Sequence, residues 1–128
     1  MARFQRGNDF NKKGSLVYQY NEIHLSDGYR LDSYIPGQEI ISRKATDLHI
    51  IQESTFEGYL IELTTKYKKG KTIRSNKYMT GSGAIDGQQL SGQYVLEIPS
   101  SNQSYYNSNQ NLQDLAEQYD VQIKFLDE

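Results

Sequence analysis

Residues 29–46 read Tyr29-Arg-Leu-Asp-Ser-Tyr-Ile-Pro-Gly-Gln-Glu-Ile-Ile-Ser-Arg-Lys-Ala-Thr46. Pro36-Gly37 divides the stretch, because proline cannot donate to a strand ladder and glycine accepts the positive φ of a turn. The two halves predict strands over 29–35 and 38–45. A half-buried strand in a small domain normally gives its inward positions to apolar side chains. These two instead carry Arg30, Asp32, Glu39, Arg43 and Lys44. The hairpin sets the fold, and its charges pose the functional question.

Working outward, residues 16–25 alternate, with Tyr18, Tyr20, Glu22 and His24 on one face and Val17, Ile23 and Leu25 on the other. They predict a first strand, joined to the hairpin by the tight-turn pair Asp27-Gly28. Residues 1–14 are polar, with at most one helical turn around Asn8-Asp9-Phe10. Asp47 is a good N-cap for a helix over 47–68, whose stripe is Leu48, Ile51, Phe56, Tyr59, Leu63 and Tyr67, with one slip between Ile51 and Phe56. Residues 70–91 form a polar, Gly-containing segment. Residues 93–99 read as a strand stopped by Pro99, 100–111 as a Ser/Asn-rich loop, 112–119 as a short helix and 121–126 as a last strand. The order βββ-α-β-α-β predicts a single α+β (mixed α/β) domain over 1–128, its three-strand antiparallel unit covered by one long helix.

Composition removes several classes. With no cysteine, disulfide scaffolds, thiol nucleophiles and zinc-thiolate sites are excluded. No run approaches the ~20 apolar residues of a membrane span. The start, Met1-Ala-Arg-Phe-Gln-Arg6, lacks an apolar signal core, so export would need sequence upstream. The net charge of −2 hides an asymmetry, since Lys66, Lys68, Lys69, Lys71, Arg74 and Lys77 form a basic run while the C-terminal end is acidic. Such a run can track phosphates. It can equally be a solvated helix end whose lysines complement the helix dipole.

Cutting a phosphodiester needs a nucleophile in line and positive charge on the developing oxyanion, which carboxylates with Mg²⁺ and a nearby lysine supply. Asp32 and Glu39 are the candidate metal ligands, and Lys44, Arg43, Glu22 and His24 complete the candidate catalytic set. Strand register decides which of these meet. If Ile35 pairs with Gln38, Asp32 shares a face with Glu39 and Arg43; if Ile35 pairs with Glu39, Asp32 meets Ser42 and Lys44. The competing reading makes Asp32–Arg43 or Glu39–Arg30 simple cross-strand ion pairs, worth ~0.2–1 kcal/mol each. His49 reads as a surface residue. The Gly-rich run 81–87 lacks the strand and the Gly-Lys-Ser/Thr of a phosphate loop. Tyr18, Tyr20, Tyr29 and Tyr34 can stack bases or simply fill a core.

Asp32, Ser42-Arg43-Lys44 and Gln52 resemble the PD-(D/E)XK nuclease pattern over residues 16–68, with Ser42 standing where that pattern has an acid. This likeness implies a restriction-endonuclease-like arrangement. The phrase from Arg30 to Leu48, with Gly7-Asn-Asp-Phe10, Asn21-Glu22 and Leu90-Ser-Gly-Gln-Tyr-Val-Leu-Glu-Ile-Pro99, is similar to C-terminal toxin domains of LXG-type and contact-dependent secreted bacterial proteins. That resemblance implies a nuclease delivered within a larger secreted protein. It would act in the target-cell cytoplasm, be a monomer when free, and be neutralised by a cognate immunity protein. RNA is the favoured substrate, since its 2′-hydroxyl is a built-in nucleophile and metal is then not required; with DNA, Mg²⁺ would be. Arg30, Lys66, Lys68, Lys69, Lys71 and Arg74 would hold the nucleic acid. A non-catalytic binding module and a purely structural domain are the other classes of reading.

Overall fold

A computed structural model describes residues 2–75 and 83–128, without the side chains of Ala2 and Arg3. Lys77 and the beginning of the Gly-rich run therefore lie outside the described residues. The chain runs α1 (Ala2–Ser15), β1 (Tyr20–His24), β2 (Arg30–Ile35), β3 (Glu39–Arg43), α2 (Glu53–Lys66), β4 (Gln93–Pro99), α3 (Gln103–Asn107), α4 (Gln110–Gln118) and β5 (Val121–Leu126). The five strands lie in one sheet in the order of the sequence. β1, β2 and β3 are antiparallel neighbours, and β4 and β5 continue parallel to β3. This is the mixed α/β arrangement that the patterning predicts, with a helix added at the front.

The β2–β3 register is Ile35 opposite Glu39, which leaves Pro36, Gly37 and Gln38 in the connection. Gly37 takes φ of 74°, and the Gln38 N–H closes the turn on the Ile35 carbonyl at 2.8 Å. This is the alternative that turns Asp32 toward Lys44. Ile40, Leu96 and Ile98 pack with Phe56, Leu60 and Leu63 of α2 and with Leu112 of α4. Side chains alternate along a strand, so Ile41 and Arg43 face the other way, toward α1 and its buried Phe10.

Four expectations need correction. The first strand is Tyr20–His24 rather than 16–25, and Leu16 and Val17 ahead of it are 85% and 60% exposed instead of facing the core. Residues 2–15 are helical, although among the described residues of that helix only Phe10 and Gly14 are buried. Polar bonds hold it: Arg6 grips Asp47 through both carboxylate oxygens at 2.8 and 2.9 Å and reaches Glu128 at 2.6 Å. That grip also removes Asp47 from capping. Residues 48–50 form a turn, α2 starts at Glu53 after Gln52, and the slip between Ile51 and Phe56 marks the change. Finally, residues 100–111 are largely helical. Buried Asn102 accepts from the Leu48 N–H and donates to the carbonyls of Thr46 and Pro99, and Asn109 caps α4 by accepting from the Leu112 N–H.

Candidate functional site

The β2–β3 pairing ends at Ser33 opposite Ile41. Beyond it, the Arg43 backbone N–H is donated to the Asp32 carboxylate at 2.7 Å. Burial pushes the Asp32 carboxyl up. The Arg43 N–H and the charges of Arg43 and Lys44 oppose the shift without cancelling it, and the Glu22 charge adds to it. The Lys44 ammonium lies 3.0 Å from Glu62 of α2 and 5.5 Å from the centre of the Tyr59 ring. Tyr67 donates its hydroxyl to the Arg30 carbonyl at 2.9 Å. Its phenol is pushed up to about 12, first by burial and then by the charges of Asp32 and Glu62. Asp32, Lys44, Glu62 and Tyr67 therefore act on one another at the open end of the β2–β3 pair.

Glu22 stands beside this group. Its backbone is left-handed, with φ of 53°, and its carboxylate holds Arg30 at 2.8 Å and accepts from Asn11 at 2.9 Å. A left-handed backbone is uncommon outside glycine and breaks the regular alternation of the strand. His24 pairs with Arg30 across β1 and β2, and its carbonyl accepts from the Arg74 N–H. Among the described residues its imidazole bonds to none of Asp32, Lys44 or Glu22. Gln52 is exposed at the start of α2.

Arg43 and Glu39 leave the candidate set for a physical reason. The Arg43 guanidinium is buried beneath α1, where it holds Glu97 at 2.6 Å, Asn11 at 2.7 Å and Ser33 at 2.7 Å. Glu39 pairs with Lys124 at 2.9 Å, and Lys124 in turn contacts the Tyr18 hydroxyl at 3.3 Å. Tyr18 donates to Glu97 at 2.7 Å, and its phenol is pushed up to about 12 by burial and by that bond. Arg43, Glu97, Tyr18, Lys124 and Glu39 thus form a second network on the α1 side. Asp32 and Glu39 belong to different networks, Asp32 with Lys44 and Glu39 with Lys124. Neither expected cross-strand ion pair forms, since Arg30 pairs with Glu22 and Arg43 with Glu97. Among the described residues no group of three or more His, Asp or Glu side chains is placed to hold a metal ion.

Two acids of consequence, Glu62 and Glu97, are absent from the set drawn from sequence. Glu97 sits between buried Leu96 and Ile98 and is itself 2% exposed. A charge in such a strand requires a buried partner, and that requirement points to a cation such as Arg43. Glu62 falls four residues before Lys66 and three after Tyr59, which puts all three on one flank of the helix.

The basic segment follows α2. Lys66 stands 5.3 Å and Lys71 5.1 Å from the Tyr29 ring centre, and Lys69 5.1 Å from that of Tyr94. Lys71 also pairs with Asp27 at 2.5 Å and donates to the Lys66 carbonyl at 2.8 Å. Lys68 and Arg74 are exposed. A hollow of about 620 Å³ lies along α1 and reaches Glu22. Among the described residues no helix is long and apolar enough to cross a membrane. No family model, no curated protein and no solved structure matches the chain.

Proposed function

We propose that the chain is the toxin domain of a larger secreted bacterial protein and cleaves nucleic acid, RNA in preference to DNA, until a cognate immunity protein covers it. The observation that carries the reading is the meeting of Asp32, Lys44 and Glu62 where β2 and β3 part. A carboxyl pushed up titrates closer to neutrality, where it serves as a general base. In the proposed step Asp32 takes the proton of a 2′-hydroxyl, and the freed oxygen attacks the adjacent phosphorus. The bond to the 5′-oxygen breaks, and that oxygen leaves with a proton from water. Lys44 offsets the charge gathering on the phosphorane. Glu62 holds the Lys44 ammonium in place before substrate arrives.

Ser42, buried and uncharged, offers no second carboxylate beside Lys44. Glu62 offers one from the helix, which favours a second reading. In it, Asp32 and Glu62 hold Mg²⁺, which supplies Lewis-acid chemistry, and DNA is the substrate. Incubation of the purified protein with total RNA and with plasmid DNA, each in Mg²⁺ and in EDTA, separates the two. RNA loss that survives EDTA and disappears in Lys44→Ala supports the first reading. Plasmid nicking only in Mg²⁺ supports the second, and no loss of either substrate removes both.

A further inference from the structure

Lys44 is joined to the basic segment by a continuous line of side chains. Glu62 lies 3.0 Å from Lys44 and 3.9 Å from Lys66. Lys66 then approaches the Tyr29 ring, as does Lys71 from the segment after α2. Tyr29 is 43% exposed and precedes exposed Arg30. The line therefore draws on α2 with the segment that follows it and on the β1–β2 turn, which is distant from both in sequence.

Helix capping accounts for part of this charge and leaves the rest. Lys71 donates to the Lys66 carbonyl and pairs with Asp27, so its place in the fold is explained. The Lys68 and Arg74 side chains are exposed and have no acidic partner among the described residues. An exposed aromatic ring flanked by part-exposed Lys66 and Lys71, with exposed Lys68 and Arg74 on the same segment, suits a strand whose bases are free to stack and whose phosphates need counter-charge. The bases of a duplex stack on one another and offer no such face.

We propose that this line is the path of a single-stranded nucleic acid. A base stacks on Tyr29, flanking phosphates meet Arg30, Lys66, Lys68, Lys71 and Arg74, and the strand leads to the scissile phosphate at Lys44. The destination rests on the cleavage reading above, whereas the path itself does not. A protein partner rich in carboxylates would be drawn to the same cations but would gain little from stacking on Tyr29.

The test is binding rather than turnover. Wild-type protein in EDTA is titrated with a 2′-O-methyl oligouridine of about 12 nucleotides, which lacks the nucleophile, and with a duplex of equal length, over a range of salt. The single strand should bind at least ~10-fold more tightly. Lys68→Ser with Arg74→Ser should reduce the slope of log affinity against log salt by ~1.4, or ~0.7 for each phosphate no longer neutralised. Tyr29→Leu should weaken binding ~5- to 100-fold and leave the slope unchanged. Preference for the duplex, a wild-type slope in the double variant, or wild-type affinity in Tyr29→Leu would each overturn the proposal. So would equal binding of polyglutamate, insensitive to Tyr29→Leu, which would assign the surface to a protein partner. If oligonucleotide binding behaves as expected while Lys44→Ala and Asp32→Asn still cleave, the path stands and the catalytic assignment fails.

Discussion

Arg43 gives its backbone N–H to the Asp32 carboxylate at 2.7 Å and its guanidinium to Glu97 at 2.6 Å. One residue thus joins the network beneath α1 to the candidate site at the open end of β2 and β3. The neighbouring Lys44 makes no such buried contact, since its side chain is 30% exposed and paired with Glu62. Adjacent cations, one ending β3 and one just beyond it, therefore do different work.

Substitution at the two positions should separate those roles. Arg43→Ala leaves the Glu97 charge buried without its cation; among the described residues only the Tyr18 hydroxyl still bonds to its carboxylate. That costs ~3–5 kcal/mol, and the melting temperature should fall by more than ~10 °C. Lys44→Ala breaks a part-exposed pair worth ~0–1 kcal/mol, so melting should hardly change while nuclease activity is lost. A large drop in melting temperature in Lys44→Ala with little in Arg43→Ala would contradict the assignment.

The raised titration of Asp32 has a direct consequence for stability. Its folded form holds the proton more tightly than the unfolded chain does. The stability from that preference is fully present below the ordinary Asp value and is lost as pH rises from that value through the folded one. Asp32→Asn keeps an oxygen for the Arg43 N–H and removes the buried charge. The variant should be more stable than wild type at neutral pH, and the gap should close toward pH ~4. Urea unfolding of both proteins at several pH values checks this. A gap that widens on acidification would mean that the ionised carboxylate stabilises the fold.

Phe56 is fully buried among the residues packed between α2 and the sheet. Phe56→Ala should cost ~3–5 kcal/mol through the cavity it leaves, measured by chemical unfolding. A cost below ~1 kcal/mol would mean that the surrounding side chains close over the gap.

Elements that bury apolar side chains in a regular period were legible in the sequence. The last two strands have the bounds that alternation and Pro99 predict, and Phe56 and Leu63 lie on the buried face of α2. Where polar bonds hold an element, the pattern was silent. α1 docks through Arg6 and Asn11, and 100–111 is organised by Asn102 and Asn109, whose partners lie on other elements or are visible only once a helix is assumed. The site divided in the same way. Asp32, Lys44 and Glu22 were readable as charges on strands, and the Pro36–Gln38 connection brought Asp32 and Lys44 together. Arg43 could not be placed without Glu97, which lies 54 residues further on. Glu62 could not be placed without knowing which flank of α2 meets the end of β3.

Gly14 offers the clearest test of how α1 is seated. A Cβ at that position would overlap the guanidinium of Arg43, whereas a Cβ at Gly7 of the same helix would meet nothing within 4 Å. Alanine is intrinsically the better helix former by ~1 kcal/mol, so propensity alone would favour both substitutions. Gly7→Ala should therefore be neutral or stabilising by up to that amount. Gly14→Ala must either lift α1 from the sheet or drive Arg43 away from Glu97, and both outcomes expose or orphan a buried charge. It should lower stability despite its propensity, with faster amide exchange along α1 than in Gly7→Ala. Equal melting temperatures and equal exchange for the two variants would show that the helix packs on this face without relying on the Arg43 contact.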